Sequence, residues 1–442
     1  MTSTSTHSDK AVMEPFIRRV RIRNYKSIGY CDIELGLFTI FVGHNGSGKS
    51  NFLDALRFVS DGLRTSIDQA VKSRGGIGQV LRRSVEKPQS FVIALDLSLS
   101  DSRFAHYEFE IAARRNNGIA IRREWLEIHE SDGKEVASYK VQLGKLVSPT
   151  NEIMPAASAD RLFLANASGL PRYREVYDRL IAMGFYNINP DAIREFQSPD
   201  AGEMLQRDGS NAASVFHRLA LKKPKVKKDL QDLLSVIVSA KTEIHKVSLG
   251  PKEILEFRQI APGDPNLAFK VVKLPDGKVR VVDKDVDPAS VSKFYAAGMS
   301  DGTLRAFGVL LALMQVSEGS HSAALVGIEE PESGLHPVAA GALMDAFRAE
   351  AETTTQVLIT THGRDLMDLV DLETDTVFVV DARDNVTVIT SMDQSSRELI
   401  EQEICLPGDL LSMDQFHTNR SDLERQKNPR PSRAAEEAGM AK

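Results

Sequence analysis

Gly43-His44-Asn45-Gly46-Ser47-Gly48-Lys49-Ser50 fits the spacing G-x-x-x-x-G-K-[ST] at every fixed position. Before it lies an apolar, partly β-branched run, Leu37 to Val42. After it, Leu53, Leu56 and Val59 fall on one face of a helix expected over Asn51–Val59. Strand, glycine-rich turn and helix in this order make a phosphate cradle. The glycines let backbone N–H groups turn inward, and the helix N-terminus adds positive potential. Lys49 then reaches the β- and γ-oxygens of a nucleotide, and the Ser50 hydroxyl is offered to Mg2+. A chance glycine-rich turn is the bland alternative, and the flanking strand and helix argue against it.

Outward from the loop, Phe16 to Ile22 reads as a strand with Asp32 to Leu37 as its partner. Phe91 to Leu99, Tyr107 to Ala112 and Ile119 to His129 alternate as antiparallel strands do. Far downstream, a helix (Leu304 to Val316), a buried strand (Ala323 to Ile328), a helix (Val338 to Glu350) and a strand (Gln356 to Thr360) imply parallel sheet with helices packed on it. Val377 to Asp381 and Val386 to Thr390 read as a closing hairpin.

Between these parts the texture changes. Ala212 to Leu221 and Asp229 to Ala240 read as helices joined by the basic run Lys222, Lys223, Lys225, Lys227 and Lys228 around Pro224. Ala268 to Val272 and Val279 to Val282 read as strands about a Pro275-Asp276-Gly277 turn. There are no sustained heptads, which argues against a long coiled coil. The expected fold class is α/β: a P-loop NTPase with a mixed sheet carrying helices on both faces, an antiparallel β lobe and an inserted α+β arm. The expected division is a disordered leader (1–15), an N-terminal head lobe (16–199), the arm or lid (200–292), a C-terminal head lobe (293–395) and an extension with a disordered tail (396–442). Beyond about Phe416 the Arg/Pro/Glu/Ala-rich composition predicts disorder.

The buried strand ends in Glu329-Glu330. The first carboxylate sits where a metal is held, and the second can polarise a water for attack on the γ-phosphate. Taken alone, an acidic pair after a strand reads as a solvated loop. His362, just past the next strand, is structural on its own terms; beside the acidic strand it would point at the γ-phosphate. Met299-Ser300-Asp301-Gly302-Thr303 opens the helix before the acidic strand. Ser300 is a good N-cap there, and a hydroxyl with a free glycine N–H also suits an anion.

Length and composition bound the rest. The chain has 442 residues, enough for two or three structural units, with 42% hydrophobic and 26% charged residues as in globular proteins. Its two cysteines, Cys31 and Cys405, build no disulfide framework and suggest a reducing compartment. The Ser/Thr-rich start lacks a secretory h-region, and no stretch approaches the roughly 20 apolar residues of a membrane span, so a cytoplasmic location is expected. Net charge is −6, but it is polarised: Ile328–Glu403 holds 17 acids against 4 arginines, while Lys222–Lys252 holds 8 lysines against 3 acids.

Together these motifs resemble the ATP-binding-cassette ATPases of the RecF/SMC/OLD type, grouped with the AAA-family ATPases. The resemblance covers residues 16–60 and 293–370, in the correct order, and Arg23-Asn24-Tyr25-Lys26-Ser27 with Lys49-Ser50-Asn51-Phe52-Leu53 resembles this branch more than transporter cassettes. It makes Gly43, His44, Asn45, Gly46, Ser47, Gly48, Lys49 and Ser50 the Walker A loop, with Asn51 and Arg23 beside the nucleotide. It makes Glu329 and Glu330 the Walker B carboxylates, Ser333 to His336 the D-loop, His362 the switch histidine, and Ser300 and Gly302 the signature. It implies ATP and Mg2+ as cofactors, the metal held by Ser50, Glu329 and a Q-loop glutamine, for which Gln197 and Gln79 both compete. It also implies a head-to-head homodimer with ATP between one loop and the other signature. The signature reads Ser-Asp-Gly rather than Ser-Gly-Gly, and Glu329 stands where Asp is commoner.

The purpose of the ATP is less legible. One reading is a DNA-associated ATPase in DNA repair or antiviral defence, with Lys222–Lys228 meeting phosphates; a solvated charged face is the bland alternative. The other is an ATP-gated scaffold that holds or releases a separate effector protein without touching DNA. The 54 positions from His362 to Phe416 are too few for a Toprim-type nuclease domain, so any nuclease is expected on a separate chain.

Overall fold

The computed structural model describes residues 14–85, 87–114, 118–147, 154–158, 160–260, 270–273, 279–282, 291–315, 323–353 and 355–427. The strands are β1 (Ile17–Tyr25), β2 (Ile28–Glu34), β3 (Phe38–Val42), β4 (Ser90–Ser98), β5 (Phe104–Ala113), β6 (Ile119–His129), β7 (Glu135–Gln142), β8 (Lys145–Leu146) and β9 (Gly184–Tyr186). They continue with β10 (Lys241–Leu249), β11 (Lys252–Ile260), β12 (Lys270–Lys273), β13 (Val279–Val282), β14 (Val291–Tyr295), β15 (Leu325–Glu329), β16 (Gln356–Thr361), β17 (Thr376–Arg383) and β18 (Val386–Ser391).

One 13-stranded sheet runs in the order β8-β7-β6-β5-β4-β1-β2-β18-β17-β3-β16-β15-β9. From β8 to β2 all neighbours are antiparallel; from β17 through β3, β16 and β15 to β9 all are parallel. The expected antiparallel β lobe is thus continuous with the parallel half that carries the Gly43–Ser50 loop. The β17–β18 hairpin, read from sequence as closing the domain, is the seam: β17 lies parallel to β3, and β18 meets β2 in parallel at Thr387 and Ile28.

Alternation along the parallel strands divides the apolar residues between two cores. Phe41 and Leu358 pack on the side that holds the loop helix Lys49–Arg64 and the helix Pro171–Ile181. Phe38, Ile40, Val42, Val357 and Ile359 pack on the other, against Asp301–Met314 and Pro337–Ala351. Helices on both faces of a mixed sheet bear out the expected class.

Residues 200–292 carry β10, β11 and the β12–β13 pair; β14, which runs past 292 to Tyr295, completes the three-stranded sheet β10-β11-β14, and the 275–277 turn lies outside the described residues. Leu230 and Leu234 nevertheless share the second core with Leu304, Phe307 and Leu343. The lysine run is not the connector expected from sequence. One helix ends at Lys222 and the next, Pro224–Ile237, starts five residues before Asp229. Pro224 takes its first position, where a missing N–H is harmless. Lys222, Lys223, Lys225 and Lys228 stand exposed at that corner.

The expected disorder beyond Phe416 is also corrected. Met392 bridges Thr418, Asp422 accepts from the Ser391 N–H and hydroxyl, and Arg420–Lys427 is helical. Composition missed this because the tie is polar and made to a distant strand. Residues 1–13 and 428–442 lie outside the described residues.

Asp54 anchors the loop helix to the β1–β2 turn. Its carboxylate takes the Lys26 ammonium at 2.6 Å, the Tyr25 hydroxyl at 2.8 Å and the Arg74 guanidinium at 3.0 Å. Lys26 reaches it from a left-handed backbone (φ 48°). Burial opposes the charge, but Arg74 and Lys26 outweigh it and hold Asp54 down at about 2. A depressed carboxylate pKa stabilises above the unfolded value and is lost on acidification. Asp54→Asn is therefore predicted to cost about 2 kcal/mol at pH 7 and to remove part of the stability that the native protein loses between about pH 4 and pH 2. Urea unfolding across that range measures it; an unchanged acid limb would contradict the anchor.

Candidate functional site

The loop leaves β3 at Gly43 and enters the helix at Lys49. Gly46 and Gly48 adopt φ of 81° and 105°, a region that costs a side-chain-bearing residue. At Gly48 a Cβ would also stand 1.9 Å from the Thr387 hydroxyl oxygen. No side chain caps the helix, and its first turn holds no acid, which leaves the positive end to an external anion. Lys49 is buried and folded back, its Nζ donating to the carbonyls of Gly43 (2.6 Å) and His44 (3.0 Å). Burial pushes its ammonium below the usual range, against the pull of Glu330 and Glu332. The Ser47 hydroxyl is buried without a hydrogen-bond partner among the described residues, while Ser50, His44 and Asn45 are exposed. His44 meets Asp414 at 2.9 Å. Asn51 donates to the Ser27 hydroxyl at 2.6 Å.

Parallel registration puts the remaining groups at one edge. β16 lies between β3 and β15, pairing Thr361 with Val42 and Thr360 with Glu329. Glu330 turns out of the strand in a left-handed conformation (φ 45°), its N–H on the Thr360 carbonyl at 2.9 Å. Its carboxylate meets His362 Nδ1 at 3.2 Å. Glu330 and His362, separated by a helix in sequence, are thus brought together.

Several residues the sequence reading did not assign also stand here. Arg207 holds Glu329 at 2.6 Å, and its carbonyl accepts the Asn187 N–H at 2.9 Å. Since Tyr186 pairs with Ile328, Asn187 stands level with Glu329. Nothing local in the sequence signals Arg207, which lies 122 positions from its partner. Glu332 takes the Thr361 hydroxyl. Burial pushes its carboxyl up, and that hydrogen bond opposes the shift.

Gln197 is placed elsewhere. It is buried, with Nε2 donating to the Ala192 and Gly209 carbonyls and Oε1 accepting from Ala213 N–H, so its amide braces the helix Ala212–Lys222. No hydrogen bond brings it to Glu329 or Ser50. Gln79 accepts from Arg83 at 2.7 Å. Arg23 is exposed on β1.

Ser300 caps Asp301–Met314, accepting the Thr303 N–H at 3.2 Å. Gly302 permits close packing, since a Cβ there would lie 2.6 Å from the Gly334 carbonyl oxygen. The Met299–Thr303 and Ser333–His336 segments therefore touch within one chain, and no hydrogen bond joins Ser300 or Gly302 to the loop.

The donor set fits a magnesium nucleotide: a glycine cradle with an orphaned hydroxyl, a lysine held on replaceable carbonyls, and the Ser50 hydroxyl with the Glu329 carboxylate for the metal. Among the described residues there is no separate cluster of three or more histidines, cysteines or acids suited to a metal.

Two family models match the chain. Residues 16–138 match the "AAA ATPase domain" and residues 193–368 the "AAA domain, putative AbiEii toxin, Type IV TA system". One match takes in the loop, the other Glu329, Glu330 and His362, so both parts of the site fall in segments similar to AAA ATPase domains. No curated protein matches it. Among solved structures, the SMC head bound to the C-winged helix domain of ScpA is 16% identical, covering 87% of this chain and 99% of that one at a TM-score of 0.48. The SMC head domain from Thermotoga maritima is 13% identical, covering 85% and 98% at 0.39. The Smc head domain with an extended coiled coil, bound to the C-terminal domain of ScpA derived from Pyrococcus furiosus, is 13% identical, covering 88% and 99% at 0.46.

Lys49→Ala is predicted to weaken ATP binding by about 100-fold or more, since charge-assisted hydrogen bonds contribute roughly 1.5–3 kcal/mol each. Equilibrium titration with a fluorescent ATP analogue measures this. Undiminished affinity would contradict the cradle assignment.

Proposed function

We propose that the chain binds Mg2+-ATP in the Gly43–Ser50 loop and hydrolyses it with Glu330 as general base. The observation that carries this is the convergence of Lys49, Ser50, Glu329 and the Glu330–His362 pair at the ends of β3, β15 and β16. On nucleotide binding, Lys49 exchanges the Gly43 and His44 carbonyls for phosphate oxygens. Ser50 and Glu329 would hold the metal, in place of the Arg207 contact that Glu329 makes here. Mg2+, when bound, would supply charge neutralisation to the phosphates. Glu330 orients a water and takes its proton, while His362 fixes the Glu330 carboxylate through its Nδ1–H beside the γ-phosphate.

In the same reading, two copies close head to head, each nucleotide lying between one loop and the other copy's Ser300 and Gly302. Asn51 and Arg23 flank the nucleotide. Contacts made only with the γ-phosphate favour the closed pair, and hydrolysis reopens it. The segments 16–199, 200–292 and 293–395 serve as loop-bearing lobe, lysine-bearing arm and signature-bearing lobe.

DNA maintenance or anti-phage defence in the cytoplasm is the setting we favour. The exposed lysine corner at residues 222–228 supports it, as a surface for a nucleic-acid backbone. Among the described residues no helix is long and apolar enough to cross a membrane. A second reading, a scaffold that grips an effector protein, is favoured by exposed Ile404, Leu406 and Met413 around the helix Pro407–Ser412. That helix is tied to the segment just after His362 by Arg364–Asp409 at 2.5 Å and by Gly408 N–H to Asp368 at 2.8 Å.

Glu330→Gln is predicted to keep ATP affinity, to slow phosphate release by about 100-fold or more, and to elute as an ATP-dependent dimer on a sizing column. Normal turnover would remove Glu330 from its role, and a monomer with ATP bound would remove the sandwich. Applied to duplex DNA, the trapped protein is expected to bind in a salt-sensitive manner that is lost when the lysine corner is neutralised. Absence of DNA binding, with a second protein retained, would favour the scaffold.

A further inference from the structure

Glu332 is absent from the machinery described so far, yet its carboxylate is built into the turn that presents His362. The Thr361 hydroxyl donates to Glu332 Oε1 and simultaneously accepts the Gly363 N–H at 2.9 Å. A hydroxyl has one proton, so donating to Glu332 fixes its rotation and turns its lone pairs toward Gly363. The residue between these two is His362, whose Nδ1 stands 3.2 Å from Glu330. Thr361 is fully buried and its carbonyl accepts the Gly43 N–H, so the turn is held at the loop as well. The packing is close: a Cβ on Gly363 would stand 3.0 Å from both Cγ and Oε1 of Glu332.

We propose that Glu332 is a positioning residue: through Thr361 and Gly363 it sets the turn that aims His362 at Glu330. The inference rests on the ATPase reading for its kinetic consequence, but its geometric content stands on contacts within this chain. Glu332 belongs to the segment after the acidic strand, and Thr361 to the end of the next strand. The pair therefore ties the two parallel strands that flank the reacting phosphate at their C-terminal ends. Glu330 leaves its strand with a left-handed φ, and His362 sits in a three-residue turn, so neither is fixed by regular structure. A hydrogen-bonded crosslink between the two segments is what holds their side chains in register.

The test uses the full chain. Glu332→Ala and Thr361→Val are each expected to lower kcat by up to about 100-fold, the penalty of misplacing a catalytic group by about 1 Å. KM and ATP affinity are expected to stay within about twofold. Glu332→Gln and Thr361→Ser restore the acceptor and the hydroxyl, and are expected to recover most of the loss. In a His362→Ala background, Glu332→Ala should cost little more, because both act through one unit. An independent arm follows the imidazole of His362 by NMR in histidine-labelled protein without nucleotide, assigned by its disappearance in His362→Ala. The signal is expected to move in Glu332→Ala and Thr361→Val and to return in Thr361→Ser.

Wild-type turnover in Glu332→Ala, full additivity with His362→Ala, or an unmoved His362 signal would each overturn the proposal. If the native protein binds ATP but releases no phosphate, the ATPase reading fails while the NMR arm still decides the role of Glu332.

Discussion

A single chain of hydrogen bonds holds the phosphate loop in the middle of the sheet. Thr387 donates its hydroxyl proton to the Ser47 carbonyl at 2.8 Å, so the Ser27 hydroxyl, 2.6 Å away, must donate to Thr387, and Asn51 donates to Ser27. Donors aligned head to tail polarise one another. The chain runs from the β1–β2 turn through β18 into the loop and back to its helix. It needs Gly48 without a side chain, because Thr387 occupies the space a Cβ would fill. The antiparallel and parallel halves of the sheet thus meet at the loop itself.

Charge is arranged around that junction with equal economy. The net charge of −6 says little, because the stretch after Ile328 is rich in acids and Lys222–Lys252 is rich in lysines. The structure shows how the acids at the site are held: Glu329 by Arg207, Glu330 by His362, and Glu332 by Thr361. Lys49 is desolvated and held by two neutral carbonyls, weaker partners than the phosphate oxygens of the proposed nucleotide would be.

Much of this was legible in sequence, for a physical reason. The loop, the acidic strand and His362 are written in local patterns: strand periodicity, obligatory glycines, and polar residues where apolar runs stop. Parallel strands then carry those ends to one edge, so local signals become a site. What was missed depends on partners distant in the chain. Arg207 finds Glu329 only through the parallel pairing of β9 with β15. The hairpin at the end of the sheet-forming sequence lies at its centre, since antiparallel and parallel edges both needed a partner. Gln197 carries the right side chain for a metal ligand, but its amide is spent on backbone groups. Pro224 read as a break between helices and proved to be the start of one.

The central claim is that loop, acidic edge and seam form one magnesium-dependent nucleotide site. Isothermal titration of the native protein with ATP, in Mg2+ and again in excess chelator, tests it most directly. The account predicts one nucleotide per chain, with affinity that falls at least about tenfold when the metal is removed. No binding heat in either condition, or binding indifferent to Mg2+, would contradict it.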